Sequence, residues 1–368
     1  MRVLWVTNIP SPYRVEFFNK LGKKCEVTVL FERNSAKDRE AKWISSKFKN
    51  FNAVFLKSIS IGTDKSISLD FIKYIVRNEF DIVILSNYNS PTIMLMIATL
   101  KIKRIPFGLV ADGGFPKNEK GLKRKIKEFF IKAPSFWLSS GEVTDEYFKM
   151  YGANEARIYR FPFTSIGKKE ILNDVLTYDN KQKIKDQIGI REKKMILAIG
   201  QFIPRKGFDI LLKSASSIPS EYGIYIVGGE PPQEYINLQR KYNNVHFLSF
   251  KSKDELKEYY KASDLFVLPT REDIWGLVIN EAMAYGLPVV TTDKCIAGLE
   301  LVKDYQNGFI VPVDDVEKLS AAINMVLDND ELTLKMSKNN LNKINEYTIE
   351  KMAEVHAKIF EKIKTEID

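Results

Sequence analysis

Short runs of consecutive apolar, largely β-branched residues recur along this chain, each followed by an amphipathic stretch, and the series runs twice. Strands that are apolar on every side chain must be covered on both faces, and strands separated by helices join in parallel. In the first half the strand candidates are residues 3–7, 26–31, 81–85 and 105–110, with helix-like segments near 13–21, 69–77, 90–99 and 122–131. Residues 161–186 change character: they are polar and lysine-rich, carry Pro162 and Gly167, and read as a linker. A second series follows, with strands at 194–199, 223–227, 245–248, 265–268, 288–291 and 308–311 alternating with helices, then helical segments at 319–327, 330–344 and 352–363. The expectation is an α/β protein of two Rossmann-like doubly wound domains. They span residues 1–163 and 187–345, joined by a linker region at 164–186, and a C-terminal helix at 346–368 packs back on the first domain. Ligands of open α/β sheets bind beyond the carboxyl ends of the strands, so two such domains would face each other across a binding cleft.

A chain of 368 residues, 45% hydrophobic, supplies core for two domains of this size. The two cysteines, Cys25 and Cys295, are far apart and suggest no disulfide framework. Two histidines, His246 and His356, leave little material for a zinc site or a histidine-based triad, and no metal site is expected. The opening MRVLWVTNIPSPYR does not read as a secretion signal, and the longest apolar stretch, 91–100, is too short to span a bilayer. A cytoplasmic protein, or one on the inner face of the cell membrane, is expected.

Three constellations carry chemistry. The first is PTREDIWGLVINEAMAYGLPVV at 269–290. A strand ends at Leu268, Asp273 lies in the following loop, and Glu281 sits about one and a half turns into a helix starting near Gly276. A helix N-terminus exposes free N–H groups that suit a phosphate, and acids beside it are coherent only if they hold hydroxyls. The second is GQFIPRKG at 200–207, where Arg205 and Lys206 at a strand-to-helix turn are placed to neutralise a diphosphate. The third is IVGG at 226–229, a glycine pair that lets a ligand approach the backbone. Each alone also reads as ordinary solvated charge or turn chemistry.

Taken together and in order, IGQFIPRKGFDILLKSA, IVGGEPP, VHFLSFKSKDELKEYYKASDLFVLPT, EDIWGLVINEAMAYGLPVVTTD and NGFIVPVDD resemble the donor-binding domain of retaining family 4 glycosyltransferases, enzymes of the GT-B fold, here of the bacterial surface-polysaccharide type. The resemblance is strong over 194–315 and fainter over 1–160. It implies that Arg205 and Lys206 hold the donor diphosphate, that Glu281 binds the ribose, and that Asp273, first acid of an acid-x7-acid motif, contacts the sugar. Backbone N–H groups of Gly276, Leu277 and Val278 would meet the distal phosphate. Ile274 and Trp275 beside them, with Gly200, Gln201 and Gly228, would complete the donor pocket, and Lys251 and Ser252 would line the base. The chain departs from the pattern at Gln201, where arginine is frequent, at Asp273, where glutamate is frequent and Glu272 beside it is a rival that would leave eight intervening residues, and in its glycine-free loop NIPSPYR at 8–14. Asp112, before Gly113 and Gly114, occupies the place where a histidine often meets the sugar; the glycines would admit substrate.

The resemblance implies front-face substitution with retention. Charge developing on the departing diphosphate would be stabilised by preorganised donors, without a metal or other cofactor. Asp328 and Asp330 have the spacing of a metal-binding DxD motif but lie at a helix end away from the other motifs. A UDP-sugar is the first expectation for the donor.

Of the net charge of +9, residues 1–160 contribute 28 basic and 16 acidic side chains, and the remainder 28 basic and 31 acidic. The densest cluster, KNEKGLKRKIKEFFIK at 117–132, combines Lys123, Arg124, Lys125 and Lys127 with apolar Leu122, Ile126, Phe129 and Phe130 at helical spacing. Such a segment either docks on an anionic membrane or packs into an ordinary core with a solvated face. Docking would make the acceptor a lipid-linked saccharide; no nucleic-acid motif accompanies the charge. The rival classes are a Rossmann oxidoreductase, for which no G-x-G-x-x-G fingerprint is present, another GT-B enzyme such as a phosphorylase or epimerase, and a non-catalytic nucleotide-sugar-binding module.

Overall fold

The computed structural model describes residues 1–34, 47–61, 65–75 and 79–367. The chain divides into two compact units, one of Met1–Ser165 with Thr348–Asp368 and the other Ile166–Tyr347.

The first unit is built on a parallel sheet of β1 (Arg2–Thr7), β2 (Glu26–Phe31), β3 (Asn52–Phe55), β6 (Ile82–Ser86), β7 (Gly108–Ala111), β8 (Phe136–Ser139) and β9 (Ile158–Arg160) in the order β3-β2-β1-β6-β7-β8-β9. The short strands β4 (Ile59–Ile61) and β5 (Lys65–Ile67) form a separate antiparallel pair. Helices α1 (Pro12–Leu21), α2 (Pro91–Ile102), α3 (Gly121–Ile131) and α4 (Glu142–Met150) complete the alternation. The central strand β1 pairs on both sides and its residues from Val3 onward are buried, as a parallel strand covered on two faces requires.

The helix expected over 69–77 is only a 3-10 turn, Asp70–Tyr74; residues 76–78 lie outside the described residues. The Asp70 carboxylate is tied to the Lys57 amide and to Lys73; Phe71 and Ile75 are buried and Tyr74 packs against the same core, while Leu69 and Ile72 stay exposed. The local ties of Asp70 suit a tight turn that leaves Leu69 and Ile72 in solvent.

The second unit repeats the plan with β10 (Lys194–Ile199), β11 (Tyr222–Val227), β12 (Val245–Leu248), β13 (Leu265–Leu268), β14 (Val289–Thr292) and β15 (Gly308–Val311), all parallel in the order β12-β11-β10-β13-β14-β15. Its helices are α5 (Tyr178–Gln187), α6 (Phe208–Ser214), α7 (Gln233–Gln239), α8 (Lys253–Ala262), α9 (Leu277–Ala284), α10 (Ile296–Leu301), α11 (Val316–Leu327) and α12 (Asp330–Ile344). Helix α5 falls inside the stretch read as linker. Thr177 caps it, and its lysines are structural: Lys185, nearly fully buried, donates to Asp264 at 2.8 Å and to the Lys193 carbonyl at 2.9 Å, and Lys181 reaches the same carboxylate at 3.3 Å. Burying lysine this way hides the helix from a hydrophobicity pattern, since a buried charge is tolerated only when paired and hydrogen-bonded.

The last helix, α13 (Ile349–Ile367), belongs to the first unit. It packs on α1 and is held by Lys20–Glu350 at 2.8 Å and Lys364–Asp81 at 3.0 Å. Its His356 sits among the rings of Trp5, Phe17, Phe161 and Phe360 and donates through Nδ1 to the Met352 carbonyl at 2.8 Å. Burial pulls its pKa from 6.5 to about 4. The folded protein thus holds His356 neutral where the unfolded chain would protonate it. This contribution is present above pH 6.5 and is lost as pH falls toward 4, amounting to about 2–3 kcal/mol by pH 4.5. Urea unfolding of His356→Gln should lose that much less stability between pH 7 and pH 4.5 than the unsubstituted protein; equal losses would contradict the assignment.

Candidate functional site

Three of the residues expected to carry chemistry in the second unit meet at the carboxyl ends of β10 and β13. After β10 the chain makes a 3-10 turn, Pro204–Lys206, and enters α6 through Gly207 at φ 67°. A Cβ at Gly207 would lie 2.0 Å from the Pro269 carbonyl oxygen, so glycine is required both for the backbone sign and for the approach of the next loop. That loop is tied down by Arg271, which forks onto Asp209 at 2.9 and 2.8 Å and also reaches Asp314 at 2.7 Å and the Pro204 carbonyl at 2.6 Å. The Arg271 amide and the Thr270 hydroxyl both donate to the Arg205 carbonyl, at 2.8 and 2.9 Å. The backbones carrying the two cations and the acid are thereby fixed to one another.

On this frame Lys206 Nζ lies 2.6 Å from Asp273 Oδ2, with both side chains largely buried. Arg205, half-exposed, stands 3.7 Å from Asp273 Oδ1 and donates to the Glu272 carbonyl at 2.7 Å. Asp273 is placed by its own amide, which donates to the Lys294 carbonyl at 2.8 Å, and by a parallel bridge to Cys295.

Three residues further, Gly276 at φ 100° caps the start of α9. A Cβ there would lie 2.8 Å from Cys295 Sγ, which instead donates to the Trp275 carbonyl at 3.0 Å. Trp275 is buried and donates from Nε1 to Asn280 at 2.8 Å, so it serves the packing under the loop, whereas Ile274 is exposed. The amides of Leu277 and Val278 fall in the first turn of α9, where helical N–H groups have no partner within the helix. Glu281, one turn on, accepts from the Tyr260 hydroxyl at 2.9 Å.

Gly200 and Gly228 close the ends of β10 and β11 against each other: a Cβ at Gly228 would come within 2.4 Å of the Gly200 carbonyl oxygen. That glycine is explained by this close approach of two loops; Gln201 beside them is exposed. Ser252 is committed to the amino terminus of α8, where it and Glu255 form a capping box. Its hydroxyl and amide both reach the Glu255 carboxylate, at 2.6 and 2.7 Å, a use of its polar groups that the expected contact with the base did not anticipate. Lys251 lies over the Tyr259 ring at 6.0 Å. A cavity of about 350 Å³ elsewhere in this unit, lined by Glu192, Tyr225, His246 and Tyr259 among others, includes none of the residues expected to bind the donor.

Asp112 belongs to the first unit and pairs with the buried guanidinium of Arg14, whose charge its carboxylate stabilises. Both line a cavity of about 10 Å³, room for about one water, together with Trp5, Tyr13 and His356. Arg14 lies in the first turn of α1, which takes up the end of the NIPSPYR stretch expected as a loop, and was not singled out from the sequence. Gly114 is used by the protein itself: a Cβ there would lie 2.8 Å from the Tyr147 ring, so its lack of a side chain does not open space for substrate. Asp328 accepts from the Tyr222 hydroxyl at 2.9 Å and Asp330 pairs with Lys194 at 2.5 Å, both structural uses. Among the described residues no group of three or more potential ligands could hold a metal ion.

Helix α3 splits its apolar residues. Phe130 stacks on Tyr88 and Ile131 is buried, but Leu122, Ile126 and Phe129 are 74%, 43% and 48% exposed, one stripe at i, i+4 and i+7. Lys123 and Lys127 both pair with Glu119, at 3.0 and 2.8 Å, and Arg124 pairs with Glu128 at 2.8 Å; Lys125 is exposed. Three of the four cations expected to face a membrane are thus partly neutralised by neighbouring acids. Among the described residues no helix is long and apolar enough to cross a membrane.

Residues 180–343 match the family described as Glycosyl transferases group 1. This segment is a glycosyltransferase group 1 domain. An uncharacterized glycosyltransferase of Haemophilus influenzae is 30% identical over 190 residues, which is 50% of this chain and 54% of that protein, so the chain spans about half the length of that relative. The N,N'-diacetylbacillosaminyl-diphospho-undecaprenol alpha-1,3-N-acetylgalactosaminyltransferase of Campylobacter jejuni is 23% identical over 315 residues, 81% of this chain and 78% of that one. Among solved structures, Anabaena HepE in complex with UDP superposes with a TM-score of 0.76 at 15% identity, covering 100% of this chain and 99% of that one. That likeness is one of fold: two Rossmann-like parallel-sheet domains, as in GT-B glycosyltransferases. Arg205, Lys206, Asp273 and Glu281 all lie within the matched residues 180–343.

Proposed function

We propose that the chain is a retaining glycosyltransferase that transfers a sugar from a nucleotide-sugar, a UDP-sugar first, to a saccharide acceptor. The observation that carries this reading is the convergence of Lys206, Arg205 and Asp273 beside the amino terminus of α9, with Glu281 one turn along the same helix. Lys206, Arg205 and the first-turn amides form a preorganised positive site for a leaving diphosphate, and the two carboxylates supply acceptors for sugar and ribose hydroxyls. The charge needed by the leaving group is then provided by side chains and backbone, and the reaction runs without a metal. In the unliganded protein Asp273 neutralises Lys206; a bound diphosphate takes over that partner and frees the carboxylate for the sugar. The UDP held by Anabaena HepE and the acceptor named for the Campylobacter jejuni relative favour a uridine donor and a diphospholipid-linked saccharide acceptor. A melting-temperature screen with the UDP-, GDP-, dTDP- and ADP-sugars, followed by NMR of the product's anomeric proton, tests the reading. It predicts one stabilising donor and a product of unchanged anomeric configuration; no stabilisation by any donor, or an inverted product, contradicts it.

We further propose that the first unit docks on the anionic inner face of the cell membrane through α3, placing the enzyme beside a lipid-linked acceptor. The exposed stripe of Leu122, Ile126 and Phe129 supports insertion, with Lys125 adding attraction to the lipid headgroups. Combined Leu122→Ser, Lys125→Glu and Phe129→Ser is expected to lower binding to phosphatidylglycerol vesicles at least about tenfold with little change in melting temperature, because all three positions are exposed. Undiminished sedimentation, or none by the unsubstituted protein at low salt, contradicts docking.

A further inference from the structure

Glu281 does not stand alone on α9. Tyr260, on α8, places its hydroxyl 2.9 Å from Glu281 Oε2, joining residues 21 positions apart. The Tyr260 ring is buried, stacks on Tyr285 with centroids 5.2 Å apart and planes 3° from parallel, and lies 6.1 Å from the Phe266 ring of β13. A ring held on two sides cannot swing away, so the hydroxyl is a fixed donor. Burial, reinforced by the nearby Glu281 carboxylate, raises the phenol's pKa well above 10, which keeps the proton on oxygen. The outcome is a carboxylate, carried by a side chain with several rotatable bonds, pinned in one orientation by a rigid neighbour.

We propose that Tyr260 is a positioning residue that makes the donor site select ribonucleotides over 2'-deoxyribonucleotides, and hence UDP-, GDP- or ADP-type sugars over dTDP-sugars. The inference rests on the donor-site reading, in which Glu281 accepts hydroxyls of the ribose. A site that fixes its acceptor disfavours a ligand lacking the matching hydroxyl, because the acceptor then loses one partner that it cannot turn to replace with water. A carboxylate free to turn would rehydrate and discriminate weakly. The Tyr260–Glu281 bond supplies that rigidity from outside the pocket.

Tyr260→Phe keeps the stacked ring and deletes only the donor. The probes are UDP and 2'-deoxy-UDP, titrated calorimetrically into the full chain. The unsubstituted protein is expected to prefer UDP by roughly tenfold or more. In Tyr260→Phe the affinity for UDP should fall while that for 2'-deoxy-UDP holds, bringing the ratio toward one. A merely structural role would weaken both ligands together and keep the ratio. An unchanged ratio in Tyr260→Phe overturns the proposal while leaving the donor site intact; failure of the unsubstituted protein to bind UDP at all overturns both. Should Tyr260→Phe not fold, Glu281→Asp, which withdraws the acceptor by one methylene, is expected to collapse the same ratio, and its persistence there also overturns the proposal.

Discussion

Lys206→Ala is expected to lower kcat by roughly a hundredfold or more, the loss of about 3 kcal/mol that follows from removing one preorganised donor to a developing anion. The magnitude rests on burial. Lys206 lies in a largely enclosed site against Asp273 at 2.6 Å, whereas Arg205 is half-exposed and anchored to the Glu272 carbonyl. Charge acts more strongly where water is excluded, so Arg205→Ala should cost less than Lys206→Ala. The fold should survive, because Gly207, Thr270 and Arg271 hold this loop through backbone contacts that do not involve the Lys206 amine. Steady-state kinetics with the stabilising donor, beside a melting curve, gives the answer. Near-normal turnover in a folded variant would remove Lys206 from the leaving-group site.

Asp273→Asn should separate binding from chemistry. The substitution keeps the shape and the amide contact to Lys294 but removes the charge that neutralises Lys206. Lys206 then meets a nucleoside diphosphate without first losing an ionic partner, so affinity for the free nucleotide should hold or rise severalfold. Turnover should nevertheless fall about a hundredfold, because the charged acceptor proposed for the transferred sugar's hydroxyls becomes a neutral amide and the sugar is held less firmly in place. Glu281→Gln should do the reverse for binding, weakening free nucleotide and sugar nucleotide alike. If Asp273→Asn weakens the free nucleotide and Glu281→Gln spares it, the two roles are exchanged.

The two sheets were legible in the sequence because parallel strands covered on both faces leave uninterrupted apolar runs, such as those ending at Thr7 and Ile199. What escaped has no single cause. β8, Phe136–Ser139, is buried throughout and as long as β13, so its length does not explain the miss, whereas α5 hides two lysines in an ion cluster around Asp264 that hydropathy reads as solvent. α4 begins at a glycine cap and presents acids in its first turn, a signal that was available and went unused. In the candidate site, local spacing found the residues on one loop or helix, Arg205 with Lys206 and Asp273 with Glu281. It could not find partners brought in from elsewhere in the chain. Arg271 reaches back 62 residues to Asp209, Tyr260 comes from the neighbouring helix, and Arg14 meets Asp112 from 98 positions away. Helix α3 shows the opposite difficulty. Its pattern was visible, but only the packing of Phe130 on Tyr88 separates the buried part of the stripe from the exposed part.

The most direct test of the central claim, that Lys206 and Glu281 are two ends of one nucleotide-diphosphate site, is calorimetric titration of UDP into the unsubstituted chain and into Lys206→Ala and Glu281→Gln. Saturable one-to-one binding, weakened at least about tenfold by each substitution, is the predicted result, since each removes a charge-assisted contact. Binding that survives both substitutions undiminished would place the nucleotide elsewhere and contradict the account.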